Sequence, residues 1–301
     1  MKNVLAIYYT QSGQLGEIAE RVALPFAESE QINLVFHEIK TVAPFPFPWP
    51  KDRFFDAFPE SFLQVPTGLE PMDRRILNTK FDLVLFFYQV WYLTPSIPIN
   101  SFLKSPEAAK ILANTPVITI SGSRNMWIMA QEKVKALLRE TNGNLVGNVA
   151  LVDRAPHLVS VITIVDWMFS GVKRSYLGLF PMPGVSDRDI FDASKFGKLI
   201  LKALQENNFD NLQPQLLNGG AVKISSYLVR VDKTANKIFS KWSNLIIKRP
   251  NSRKRLLKLF NIYLWLAIWL VSPIVYILHV FTYPFNFKKI KKESLYYQGI
   301  K

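Results

Sequence analysis

The sequence contains no cysteine and only three histidines. The first absence removes disulfides, thiolate metal sites and a cysteine nucleophile together. It fits a reducing compartment, and no metal centre is expected. Acids are scarce at one end: residues 221–301 carry 16 of the 37 Lys and Arg but only two of the 23 Asp and Glu, Asp232 and Glu293. The first 220 residues hold 21 of each sign, so the whole net charge of +14 belongs to the tail. A tail of one sign calls for a polyanion, either nucleic acid or an anionic membrane surface. Long apolar runs are absent but for one, Ile262–Phe281, IYLWLAIWLVSPIVYILHVF. Its length suffices to cross a hydrocarbon core. Basic clusters flank it at 248–258 and 288–292, and Tyr263, Trp265, Trp269, Tyr276 and Tyr283 are residues typical of the membrane interface. A nucleic-acid partner is therefore not expected and an anionic membrane is. Positive charge on both sides, with Pro273 near the middle, favours the cytoplasmic face of the inner membrane, peripheral or anchored by this single segment. The plainer alternative is a buried core helix. At the other end, MKNVLAIYY lacks a cleavage site and reads as a first strand rather than a signal peptide.

Five short, continuous apolar runs read as parallel strands covered on both faces: Val4–Tyr9, Asn33–Ile39, Asp82–Tyr88, Pro116–Ser121 and Val146–Val152. Helical periodicity falls between them at Gly13–Glu28 and Asn125–Thr141, and after them at Asp192–Asn207. The alternation predicts a doubly wound α/β sheet with right-handed crossovers. Two stretches break the rhythm. One, at 42–72, opens with VAPFPFPWPKDRFFDAFPESF, where prolines predict no regular structure. The other, at 157–184, reads as a second long loop. Loops of this length serve as lids or binding walls, or they pack on each other as a small second core. Composition changes near 215–220, which divides the chain into a domain of residues 1–215 and a basic helical extension, 216–301, whose membrane-associating segment is 256–285.

The first strand stops in Thr10-Gln11-Ser12-Gly13-Gln14-Leu15 and a helix begins at once. One glycine is too few for a dinucleotide loop, which needs G-x-G-x-x-G so that the backbone can approach a pyrophosphate. Hydroxyls at Thr10 and Ser12, a turn at Gly13, an amide at Gln14 and a helix N-terminus suit a single phosphomonoester. The alternative is a capped helix start with Ser12 as N-cap. At the end of the third strand stand Gln89, Val90, Trp91, Tyr92, Leu93 and Thr94, and at the end of the fourth Ser121, Gly122 and Ser123. In an open α/β sheet these carboxyl edges form the ligand crevice. At the end of the fifth, His157 is a candidate base and Asp153, close to it in sequence, a further catalytic candidate, while Arg124, in the loop after the fourth, is a candidate for stabilising an enolate or a reduced cofactor. A lone loop histidine and a solvated arginine are the commoner outcomes.

The sequence T-Q-S-G-Q between a strand and a helix resembles the flavodoxin phosphate loop, [ST]-x-[ST]-G-x-[ST]; Thr10, Ser12 and Gly13 match, and Leu15 replaces the last hydroxyl. The resemblance implies a flavodoxin-like five-stranded parallel sheet of order 2-1-3-4-5. It implies FMN as cofactor, held by residues 10–15, 89–94 and 121–123, with Trp91 or Tyr92 against the ring. NAD(P)H or O2 would be the redox partner, and a homodimer is compatible with it. The whole chain is similar to a bacterial family associated with dialkylresorcinol and flexirubin-type pigment synthesis, whose members are called dialkylresorcinol condensing enzymes. That similarity rests on IYYTQSGQ, PFPFPWPKDRFF and TPSIPINSFL. Thioester condensation through an acyl-cysteine is excluded here by the absence of cysteine. A flavin can instead oxidise a dialkylcyclohexanedione to a resorcinol. The resemblance thus implies an aromatase with a long-chain apolar substrate and a separate ketosynthase as partner. An NAD(P)H-dependent FMN or quinone reductase on the membrane, a flavodoxin-like electron carrier and a cofactor-free membrane module are the other expectations.

Overall fold

In the computed structural model, which describes residues 1–300, strands β1 (Lys2–Tyr8), β2 (Ile32–Glu38), β3 (Leu83–Trp91), β5 (Pro116–Ser123) and β6 (Asn144–Val152) form a parallel sheet of order β2-β1-β3-β5-β6. This is the flavodoxin-like doubly wound arrangement. A sixth strand, β4 (Thr94–Pro95), pairs antiparallel with the end of β3. Five strands were expected. The extra one arises because Tyr92 and Leu93 both take positive φ, 49° and 63°, and fold the chain back on itself after Trp91.

The central strands contain continuous apolar runs because both their faces are buried. Val4, Ala6, Leu83, Leu85 and Phe87 face α1 (Gln14–Ala27), whereas Leu5, Ile7, Val84, Phe86 and Tyr88 face the opposite layer. Gly122, in β5, lies where the sheet meets α1: a Cβ there would sit 2.9 Å from Leu15 Cδ1 and 3.1 Å from Ile18 Cδ1. Only glycine lets helix and strand approach so closely.

Both long stretches hold helices that the sequence did not announce. In the first, α2 (Lys51–Asp56) follows Pro50 directly and α3 (Phe58–Phe62) follows Ala57, and Pro59 sits in the first turn of α3, where it sacrifices no hydrogen bond. Two more short helices of the domain, α4 (Arg74–Leu77) and α5 (Ile97–Leu103), precede α6 (Pro106–Leu112) and α7 (Ile128–Glu140). In the second stretch, α8 (His157–Ser170) runs until Gly171 ends it in a left-handed cap. Its apolar residues lie on all sides, so no helical stripe shows in the sequence. The two stretches pack together: Trp49 N–H donates to the Met168 carbonyl at 2.8 Å, and Phe47 meets Trp167 edge-on.

After α9 (Asp187–Phe191), α10 (Ser194–Gln205) and α11 (Leu212–Asn218) comes the basic extension, with α12 (Ser226–Ile247), α13 (Arg253–Leu266) and α14 (Ser272–Gln298). From Pro250 to Gln298 the chain is one 49-residue helical rod, long and apolar enough to cross a membrane. Pro273 does not end it. A π-helical turn, Ala267–Val271, lies immediately before and relieves the missing hydrogen bond. The extension packs on the first insertion through a shared core in which Phe58 stacks on Phe260 at 3.8 Å. Arg253 clamps Asp56 and Glu60 at 2.7 and 2.8 Å. Outward-facing Ile274, Ile277, Leu278 and Phe281 remain more than half exposed.

Candidate functional site

The strand order places the topological switch point between β1 and β3, because the chain leaves β1 for β2 and returns across it to β3. At this edge three buried polar atoms lack partners: Thr10 Oγ1, Gln89 Nε2 and Ser123 Oγ. They stand at the ends of the adjacent strands β1, β3 and β5. The register pairs Ile7 with Phe86 and Gln89 with Gly122, which sets the three ends at nearly one level. Buried polar atoms without partners are costly, and a row of them at a strand edge is the signature of a polar ligand.

The turn after β1 meets the requirements of a phosphate. Gly13, not Ser12, is the N-cap of α1; its φ of 89° makes the turn, and no side chain caps the helix. The first amides of α1 are left to an anion. Thr10 and Ser12 flank them. The other expected contacts have different duties. Leu15 is buried under Gly122 in the core, so its side chain takes no part. Gln14 is committed: its Oε1 accepts from Val185 N–H at 2.9 Å and its Nε2 donates to Val185 O at 3.0 Å. Gln11 accepts from Tyr9 Oη at 2.6 Å and donates to Pro46 O at 2.7 Å. Both side-chain amides are thus engaged within the chain, Gln11 with the first insertion and Gln14 with Val185 just past the second.

The hairpin after β3 differs from expectation in a similar way. Tyr92 is half-buried against the extension's core; it donates to the Phe54 carbonyl at 2.5 Å and packs on Phe58. Leu93 is buried, and Thr94 donates to Ser61 O and Trp91 O. Trp91 keeps its place at the edge, surrounded by Tyr9, Phe45 and Trp49 with ring centroids 5.1–6.0 Å apart. Val90 and Trp91 pair with Pro95 and Thr94, so part of their backbone is already used. Beyond β5, Ser121 is fully buried, while Gly122 and Ser123 are half-buried.

The three candidate catalytic residues do come together, in other roles. Asp153 accepts from Ala155 N–H at 2.8 Å and Ser160 Oγ at 2.7 Å, which fixes the start of α8. Arg124 donates to the His157 carbonyl at 3.2 Å. Its pKa falls to about 10 through burial, opposed by Asp153 and Asp232, so it stays charged at neutral pH. His157 is the first residue of α8 and not a loop residue. Its pKa is held down at about 3, mainly by burial and then by Arg124. A ring this weakly basic retains no abstracted proton near pH 7. Its Nδ1 lies 3.3 Å from Asn125 Oδ1, which leaves Nε2 as the ring's acceptor.

Beside them opens a cavity of about 590 Å³, bounded by the β6–α8 corner, the start of α12 and the C-terminal helix. Asp232 of α12 lines it and is fully buried. Asp232 was not among the expected site residues, although the sequence carries a signal for it. Val229, Asp232, Phe239, Ser243 and Ile246 form the buried stripe of α12 at helical spacing, and one member of it is an acid.

No known family model matches the chain, and no curated protein matches it. Several solved structures are similar. An FMN-complexed flavoprotein from Lactobacillus acidophilus NCFM has 18% identity and a TM-score of 0.40, over 50% of this chain and 93% of that one. A flavoprotein from Bacteroides eggerthii DSM 20697 has 15% identity and a TM-score of 0.40, over 50% and 87%. A flavodoxin from the domain Archaea has 10% identity and a TM-score of 0.37, over 68% and 99%. The fold assignment rests on strand order and register, not on these similarities.

Proposed function

We propose that the chain is an FMN-dependent oxidoreductase working on a membrane, and that it aromatises a dialkylcyclohexanedione to a dialkylresorcinol in the biosynthesis of aryl-polyene or flexirubin-type pigments. The observation that carries the cofactor is the row of unpartnered atoms at the ends of β1, β3 and β5, beside an uncapped α1. Thr10, Ser12 and the first amides of α1 would hold the phosphate. Gln89 and Ser123 have the free donors to meet the polar edge of the ring, and Trp91 borders it. Bound there, FMN supplies a two-electron acceptor. The chain's own part is to hold the phosphate by preorganised donors and to keep water away with the aromatic cover. NAD(P)H or O2 would complete the redox cycle, and a separate ketosynthase would make the dione.

The rest of the reading concerns access. A dialkyl ring partitions into lipid, each buried CH₂ adding about 0.8 kcal/mol. The C-terminal helix, with its exposed apolar side chains between basic clusters, would dock the protein on an anionic leaflet where such a substrate collects. The test is a visible spectrum of the detergent-purified chain, followed by anaerobic addition of a 2,5-dialkylcyclohexane-1,3-dione. A yellow protein bleached by the dione is the expected result. A colourless preparation that takes up no added FMN would refute the proposal. A yellow one bleached by NADPH but not by the dione would replace the aromatase by a membrane-bound reductase.

A further inference from the structure

Asp232 is an acid in the wrong place for structural economy. It is fully buried, on the apolar stripe of α12. Its Oδ2 accepts from Met129 N–H at 3.2 Å, and with the neighbouring Ile128 amide this completes the uncapped start of α7. That duty occupies one oxygen. The other, Oδ1, is buried without a partner, in a residue that lines the 590 Å³ cavity. A free carboxylate oxygen inside a protein is costly unless a ligand meets it.

The rest of the cavity says what kind of ligand. Its inner wall includes Asn125, two residues beyond the unpartnered Ser123, and Asp153, whose N–H donates to Ser123 O and Arg124 O at 3.0 Å. The polar end therefore adjoins the loop that borders the flavin edge. Its outer wall is Pro273 and Tyr276, on the rod whose neighbouring Ile277 and Val280 are more than half exposed. One end is polar and faces the sheet, and the other is apolar and continuous with the lipid-facing helix. The charges around it are mixed, Asp153 and Asp232 against Arg154 and Lys223 in the lining with Arg124 beside it, so neither a cationic nor an anionic head is singled out.

We propose that this cavity seats the oxygenated ring of a neutral amphiphile, with Asp232 Oδ1 accepting a hydrogen bond from an enol or phenol hydroxyl and an alkyl chain leaving past Pro273 and Tyr276 into the lipid. This rests on the aromatase reading for the identity of the ring but not for the existence of the site. Burial pushes the Asp232 carboxyl up to about 7, against the amides of Met129 and Ile128 and the charges of Lys133 and Arg124. Near neutral pH the group can donate to a ketone as readily as it accepts from a hydroxyl, which suits both tautomers of a 1,3-dione.

The test uses the full chain in detergent and two probes, 2,5-dihexylresorcinol and its dimethyl ether, in which a methyl group replaces each hydroxyl hydrogen. Dissociation constants come from quenching of tryptophan fluorescence, and flavin content from visible absorbance. The wild type should prefer the diol about tenfold or more, the range for a hydrogen bond to a charged acceptor. In Asp232→Asn the preference should shrink to about twofold or less. Leu228→Trp, which fills the cavity wall, should weaken both probes by about tenfold or more. Flavin content should be the same in all three proteins. An undiminished preference in Asp232→Asn, or unchanged binding in Leu228→Trp, overturns the site. A colourless protein that keeps the Asp232-dependent preference refutes the flavin reading and leaves this inference standing. A yellow protein without the preference does the reverse.

Discussion

Thr10 and Gln11 are neighbours with opposite prospects. The Thr10 hydroxyl is buried and unpartnered, so Thr10→Val should leave the melting temperature unchanged or raised while weakening FMN binding about tenfold, as titration with FMN would show. Gln11→Ala removes both the Tyr9 and the Pro46 hydrogen bonds and should destabilise the fold by about 1–3 kcal/mol in a denaturant melt. Titration separates two other residues. Asp232 has a folded pKa near 7, far above an unfolded carboxyl, so the native state holds a proton that the unfolded chain has lost, and its contribution falls as pH rises from about 4 to 7. His157 has a folded pKa near 3, below its unfolded value, so its contribution rises with pH from about 3 to 6.5. The slopes oppose each other between about pH 4 and 6.5. Melting temperature should therefore climb with pH across this window in Asp232→Asn and fall in His157→Asn, relative to the wild type; parallel profiles would contradict the assignment. Much of this chemistry was hidden from the sequence. Thr10, Ser12 and Gly13 form a local pattern and could be read. Gln14 could not, because the backbone it grips lies 171 residues further along the chain. Asp232 could have been read from the stripe it interrupts.

At the scale of elements, every strand of the main sheet was legible, the central ones because a parallel strand buried on both faces is a continuous apolar run, and the half-exposed edge strand β2 through its short apolar stretch Leu34–Phe36. The bounds shifted by at most three residues. Helix α1 was legible by its stripe of Leu15, Ile18, Ala19 and Val22. Helix α8 was not, since apolar residues on every side erase the period, and the proline-rich stretch concealed α2 and α3 because its prolines stand before and at the start of helices rather than inside them. The junction of α1 with the sheet invites a test. Gly122→Val places branched carbons where even a Cβ would lie 2.9 Å from Leu15, and α1 must retreat. The expected result is a destabilisation of about 1–3 kcal/mol together with loss of flavin, since the amides for the phosphate ride on the same helix. Retention of flavin at wild-type affinity would detach the phosphate site from α1.

For the whole molecule the decisive fact is asymmetry: a neutral α/β body and a tail that carries all the net charge and the only long apolar run. Ile277 and Phe281 are exposed on that tail, so replacing both by glutamate should leave the fold intact. It should also release the protein from vesicles containing anionic lipid, since charge in the hydrocarbon costs about 2.5–3.5 kcal/mol per residue. Sedimentation with vesicles is the measurement, and unchanged binding would place those residues outside the bilayer. The aromatic seam gives this asymmetry a mechanical meaning. Rings run in contact from Tyr9 through Trp91, Trp49, Phe54, Tyr92 and Phe58 to Phe260, and Arg253 clamps the same joint. The roof over the strand edge and the root of the rod are thus joined by one continuous line of ring contacts, like hull and keel. On the proposed docking, the depth at which the rod rides would set the height and tilt of the strand edge above the lipid, so the thickness of the membrane itself would become a control on which tails reach the proposed ring-binding end.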